Sequence, residues 1–143
     1  RPPVPALMRL FVDSPVFLYA LGRQTPHTTG SKTLLQRATE GRVELHTGAE
    51  CIQEIVYHRR RTEAPSRAVA QVQAIRDLCT VHAMDDVVLD RGLSLILDHG
   101  ARGRDAFIAA TALLAGFDTV VTTDDRFVEV PGLRRVHPRD LPT

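Results

Sequence analysis

The sequence has no tryptophan and only two tyrosines, so aromatic residues make up 5% of its 143 positions. RNA readers of the RRM type stack bases on exposed aromatic rings. That surface is missing here, and specificity toward a nucleic acid would have to come from phosphate geometry and substrate shape. Cysteine is scarce too. Cys51 and Cys79 stand alone, no CxxC or HExxH occurs, and the six histidines show no zinc-ligand spacing. A disulfide scaffold and a zinc centre are both excluded, and unpaired cysteines fit a reducing compartment. Apolar runs are too short to span a bilayer, and the N-terminus lacks the charged-then-apolar order of a signal peptide. Both absences predict a cytoplasmic protein. Charge of one sign is also lacking, since a net charge of +1 does not suit a generally basic nucleic-acid coat.

What is present is a chain with 43% apolar residues and no linker, repeat or low-complexity segment, which predicts a single domain over residues 8–143. Residues 1–7, rich in proline and preceding Met8, read as a leader or cloning remnant outside it. Helical patterns near residues 15–22, 29–41, 48–61, 65–79, 86–99 and 104–115 alternate with strand patterns near 9–13, 43–46, 80–83, 119–123 and 134–137. Such alternation predicts an α/β fold, a three-layer α/β/α sandwich with a mostly parallel central sheet.

Four scattered acids fit that frame. Leu10-Phe11-Val12-Asp13 is a buried-strand pattern ending in an acid, with Ser14 expected as N-cap and Pro15 as the first helical residue. Thr119-Val120-Val121-Thr122-Thr123-Asp124 repeats the design and ends at an acidic pair, Asp124-Asp125. In open parallel sheets, ligands sit beyond the carboxyl ends of strands. Asp105 opens an apolar helix closed by Gly116 and gains from the helix dipole. Glu54 lies beside the Ile52, Ile55 and Val56 stripe of a helix whose start is expected at a Thr47/Glu50 capping box. Glu54 also stands one turn after Glu50, an unfavourable like-charge spacing unless a cation offsets it. Gathered together, carboxylates supply the oxygen ligands that Mg²⁺ or Mn²⁺ requires, and without a cation they repel.

Taken in order, Leu10-Phe11-Val12-Asp13-Ser14, the helical Glu54, Gly103-Arg104-Asp105-Ala106-Phe107-Ile108-Ala109-Ala110-Thr111-Ala112 and Thr122-Thr123-Asp124-Asp125-Arg126-Phe127 resemble the successive motifs of PIN-domain nucleases, in particular the VapC toxins of toxin–antitoxin pairs. The resemblance covers nearly the whole chain from Met8 onward. It implies a metal-dependent endoribonuclease whose acidic quartet is Asp13, Glu54, Asp105 and Asp124. Asp13, Asp105 and Asp124 would be metal ligands, while Glu54 would complete the set or orient water. Ser14 and Thr122 would be supporting hydroxyls, and Asp125 could share the metal role. It further implies products with a 5′-phosphate and a 3′-hydroxyl, a homodimer, and a cognate VapB-type antitoxin presenting an arginine to the carboxylates. Pro15 departs, standing where many relatives carry Asn or Ser.

Arginines surround these acids in sequence. Arg59, Arg60 and Arg61 end the Glu54 helix, and Arg102 and Arg104 flank Asp105, a candidate rim for an RNA backbone. Arginines at a helix end also offset its dipole, so that reading stays open beside the first. A phosphoacceptor receiver domain would need a lysine after its last strand, whereas the only lysine is Lys32. The remaining alternative is a non-catalytic PIN-like binding module in which the acids are caps and surface charge.

Overall fold

The computed structural model describes residues 7–142, so residues 1–6 of the expected leader lie outside the described residues. Five strands form one sheet: β1 (Met8–Val12), β2 (Val43–Gly48), β3 (Cys79–His82), β4 (Thr119–Val121) and β5 (Arg134–Val136). Their order is β3-β2-β1-β4-β5, and each neighbouring pair is parallel. Six helices accompany them: α1 (Ser14–Leu21), α2 (Thr28–Thr39), α3 (Ala49–Arg60), α4 (Pro65–Leu78), α5 (Asp86–His99) and α6 (Gly103–Leu114). Every element expected from the sequence is present.

Alternation along the strands separates two cores. Phe11 and Val120 point to a cluster with α5 and α6 that includes Val88, Leu95, Ile108 and Phe127. Leu10, Val12 and Val121 point the other way, to Val16, Phe17, Leu34, Ile55, Val72 and Ile75 of α1 to α4. Helix α3 spans the seam, giving Cys51 to the first cluster and Ile55 to the second. The sheet is therefore covered on both faces, which is the three-layer sandwich. Burying each large apolar side chain contributes roughly 1.5–3 kcal/mol. Histidine packing adds to one face, where His46 is buried and stacks on His82 with ring centroids 5.1 Å apart. Among the described residues, no helix is long and apolar enough to cross a membrane.

The strand order positions the site. From β1 the chain steps outward to β2 and β3, then returns to the other side of β1 for β4 and β5. The order reverses between β1 and β4, and in such sheets the crevice at that switch point is where ligands bind. Asp13 and Asp124 follow those two strands.

Two local expectations are corrected. The N-cap of α1 is Asp13 rather than Ser14, with extended backbone (φ −79°, ψ 155°) and a carboxylate that accepts from the Ser14 N–H. β1 stops at Val12, so the acid itself makes the turn from strand to helix. The Thr47/Glu50 capping box is absent: β2 runs on to Gly48, which is the N-cap of α3. Thr47 instead donates its hydroxyl to Val12 O at 2.7 Å, and Glu50 Oε1 accepts from Thr111 at 3.1 Å. Tertiary partners on β1 and α6 replaced the local ones.

Helix packing generates the first prediction. Gly92 of α5 lies under the Phe107 ring of α6, and a Cβ at Gly92 would collide with that ring. Alanine favours a helix interior over glycine by about 1 kcal/mol. Gly92→Ala is nevertheless expected to destabilise by about 1–2 kcal/mol through overpacking. In a Phe107→Ala background the same change becomes stabilising, as read by urea unfolding of the four proteins.

Candidate metal centre

Asp13 anchors the site. It is buried, 4% exposed, at the end of β1. Its Oδ1 accepts from the Ser14 N–H at 2.8 Å, and its Oδ2 accepts from the Thr122 hydroxyl at 2.8 Å. Burial pushes its carboxyl up to about 7, and the negative charges of Asp105 and Glu54 add to the rise, against the two hydrogen bonds. Cys51 Sγ lies 3.9 Å from Asp13 Oδ1. Burial and the charge of Asp13 raise that thiol well above its ordinary value, so Cys51 is a protonated packing residue rather than a nucleophile.

Thr122 couples the two strand ends. While donating to Asp13, its hydroxyl oxygen accepts from the Asp124 N–H at 3.1 Å. The Thr122 N–H in turn bonds Val136 O at 2.9 Å, extending the β4–β5 ladder into the turn. Asp124 Oδ1 accepts from the Arg126 N–H at 2.9 Å, an Asx-type turn. Its neighbour Asp125 is exposed.

Asp105 enters from the first turn of α6. Burial raises its pKa, then the Asp124 charge, with Arg102 opposing, Glu54 adding and Arg104 opposing. The N-cap of α6 is Arg102, which makes no side-chain cap, so Asp105 is not the capping acid. Glu54 enters from the middle of α3, and its Oε1 accepts from Arg104 Nη1 at 2.7 Å, with His58 Nε2 at 3.8 Å. Asp13, Glu54 and Asp105 thus lie within electrostatic reach of one another, and Asp124 within reach of Asp105.

The donor chemistry fits a hard cation. Every candidate ligand is an oxygen, and Ser14 Oγ, next to Asp13, is buried with no hydrogen-bond partner. The carboxylates are not drawn into a finished ligand set, however. Among the described residues, no three His, Cys, Asp or Glu side chains group closely enough to hold a metal ion. Arg104 holds Glu54, and separate donors hold Asp13 and Asp124, so closure around an ion requires side-chain movement.

The arginine run is placed differently from the acids. Arg59 bonds Gln71 Oε1 and Glu63 Oε1, each at 2.9 Å, and Arg60 bonds Glu63 O at 2.8 Å. These two tie α3 to the α4 side of the molecule, while Arg61 is exposed beyond α3. Arg102 and Arg104 are exposed beside Asp105. Sequence reasoning missed a cavity adjoining Asp124 that is also lined by His137 and Arg139. The available signal was the position of His137 just beyond β5, at the same edge of the sheet as Asp124.

The position of Asp13 makes a pH prediction. Its folded-state value lies above the ordinary 3.8, so the fold favours the protonated acid, and that stabilisation is lost as pH rises through about 7. Metal-free protein is expected to lose roughly 2–3 kcal/mol of this contribution between about pH 5 and pH 8. Urea unfolding in EDTA at both pH values, beside Asp13→Asn, measures it; the variant should show a flatter dependence and greater stability at the higher pH.

The PIN domain profile matches residues 10–133, a span that contains all four acids. Ribonuclease VapC7 of Mycobacterium tuberculosis is 29% identical over 132 residues, covering 90% of this chain and 91% of the relative. Among solved structures, DNA-bound VapBC from Salmonella typhimurium superposes with a TM-score of 0.70 at 19% identity, covering 93% of this chain and 99% of the other. VapC20 of Mycobacterium tuberculosis, a sarcin-ricin loop cleaving toxin, superposes with a TM-score of 0.66 at 15% identity, covering 82% and 92%. The structures share the fold, the profile spans most of the sequence, and the chain belongs to the PIN domain family.

Proposed function

We propose that this protein is a Mg²⁺- or Mn²⁺-dependent endoribonuclease, the toxin of a type II toxin–antitoxin pair. The observation that supports the reading is the electrostatic coupling of Asp13 with Asp105 and Glu54, and of Asp105 with Asp124 and Glu54, beside the β1/β4 switch point, with Asp13 and Asp105 both raised by burial and by acidic neighbours. Carboxylates crowded at a strand-end crevice are the donor set of a hard cation. The similarity to ribonuclease VapC7 supports RNA as the substrate.

Asp13, Asp105 and Asp124 would hold the ion, and Glu54 would complete its shell or orient the attacking water. Bound there, the ion supplies an activated water and offsets charge developing on the phosphate. The chain's own residues do the positioning. The Ser14 N–H and the Thr122 hydroxyl fix both oxygens of Asp13, and the same hydroxyl sets the Asp124 backbone. Arg102 and Arg104, exposed beside Asp105, meet the RNA backbone, and a guanidinium suits a phosphate in bidentate geometry. Cleavage leaves a 5′-phosphate and a 3′-hydroxyl.

The same acids account for the partner. An arginine from a VapB-type antitoxin would pair with carboxylates that otherwise take the ion, as Arg104 already does with Glu54. The solved structures of similar fold include DNA-bound VapBC and a toxin-antitoxin complex from Klebsiella pneumoniae. The toxin would act as a homodimer. A second reading, a PIN-like module without catalysis, draws on the Arg104–Glu54 pair, which occupies one of the four acids.

Two experiments decide. End-labelled total RNA should give discrete fragments with Mg²⁺ or Mn²⁺, and Asp105→Asn should fall to the EDTA background. Antitoxin-free wild type that binds Mn²⁺ yet cleaves nothing would point to the non-catalytic module. Arg104→Ala should tighten Mn²⁺ binding by up to about fivefold, the upper worth of an exposed ion pair, while weakening RNA binding. Titration calorimetry without RNA reads the first effect; unchanged Mn²⁺ affinity would remove Arg104 as a competitor for Glu54.

A further inference from the structure

The cavity beside Asp124 carries chemistry that the acidic centre does not use. It is a half-open cleft of about 340 Å³ between the turn after β4 and the 3-10 turn Pro138–Asp140, and its walls include Asp124, Asp125, Arg135, His137, Arg139 and Asp140. Small-ligand pockets span about 300–1,000 Å³, so this one is of a size for a single nucleotide.

Its wall is held from two sides. His137 Nδ1 accepts from the Arg139 N–H at 3.1 Å, and a neutral imidazole that accepts at one nitrogen donates from the other. Nε2–H of His137 then donates to His27 Nδ1 at 2.9 Å, joining the 3-10 turn to the start of α2. Burial, then the charge of Arg139 and His27, with Asp140 opposing, hold His137 below its ordinary value, which favours this neutral tautomer. Across from it, a Cβ on Gly30 of α2 would come within 3.1 Å of Arg139 N, so the backbone at Arg139 sits directly on α2. The Arg139 and Asp140 backbones are fixed, and their side chains are exposed at the cavity.

The charge pattern selects the occupant. A free anion would meet Asp124, Asp125 and Asp140, and a second cation would meet Arg135 and Arg139. A nucleotide satisfies both signs, with its phosphate toward the guanidinium and an amino group of its base toward a carboxylate. The geometry points to a nucleotide subsite here, in which Arg139 binds the phosphate adjoining the scissile one and Asp140, with Asp125, accepts from the exocyclic amino group of the base. Adenine, cytosine and guanine carry such a group. Uracil does not, and the two carbonyl oxygens beside its N3–H are repelled by a carboxylate. The subsite discriminates against uridine next to the cleaved bond, an assignment that rests on the ribonuclease reading of the adjoining acids.

The test uses the full chain carrying Asp105→Asn, with Mg²⁺, and fluorescein-labelled oligo(A), oligo(C) and oligo(U) read by anisotropy. Oligo(A) and oligo(C) should bind about tenfold tighter than oligo(U), the scale of one good base-edge contact. Adding Asp140→Asn, whose amide can donate to a uracil carbonyl, should erase the difference, and adding Arg139→Ala should weaken all three alike by about tenfold. Circular dichroism melts check that each variant remains folded. Absence of binding, equal affinity for the three oligonucleotides, or indifference to both substitutions would overturn the subsite. Because binding is read without cleavage, the two readings fail separately. The expected binding pattern in a protein whose wild type cuts no RNA would sink the nuclease reading alone. RNA cleavage by wild type with no base preference, unaltered by Asp140→Asn, would sink the subsite alone.

Discussion

The parallel pairing of β1 with β4 is the constraint on which the site depends, because it lets one hydroxyl hold two acids. The Asp13 N–H bonds Val121 O at 2.9 Å, continuing the ladder one residue past β1. That bond places the Asp13 carboxylate beneath Thr122, whose oxygen donates to it and accepts from the Asp124 N–H. A buried carboxylate is costly unless it is hydrogen-bonded or protonated, and both remedies operate at Asp13. Phe11 and Val12 of β1 and Val120 and Val121 of β4 are fully buried, so this arrangement has little room to relax.

Local counter-charges temper the repulsion among the four acids. The Asp13 carboxyl retains its proton up to about pH 7, Arg104 and His58 face Glu54, Arg126 stands 3.7 Å from Asp124, and Arg102 and Arg104 oppose the rise at Asp105. Each acid has a local neutraliser, and a divalent cation or an incoming guanidinium would compete with all of them. A net charge of +1 conceals this, because the basic and acidic groups are paired locally rather than segregated into opposite faces.

Much of the architecture was legible because the signals were redundant. An apolar run closing on an acid marks β1, a β-branched run closing on an acid marks β4, and the apolar helix α6 is followed by Gly116, whose φ of 89° suits glycine. Asp13 and Asp124 could be placed together because parallel strands put their carboxyl ends at one edge, whereas Glu54 and Asp105 lie on helices and their part rested on the family resemblance. The misreadings have two causes. Ser14 is a good N-cap by type and Thr47/Glu50 a good capping box by spacing, yet Asp13 took the cap, Thr47 bonded Val12 O and Glu50 bonded Thr111. At Thr47 and Glu50 a long-range partner displaced a local one, while at α1 the cap stayed local and moved one residue upstream because β1 stops at Val12. Arg59 was read as a rim residue from its charge, whereas Gln71 and Glu63 hold it against α4.

The sequence by itself determined the elements, their order and the acids at their ends, since apolar periodicity and cap chemistry act over a few residues. Only the tertiary structure decided which oxygen each donor holds, that Arg104 pairs with Glu54 fifty positions away, and that His27, His137 and Arg139 build a cavity beside Asp124. Those outcomes depend on strand order and helix approach, which bring together groups whose separation along the chain carries no local signal.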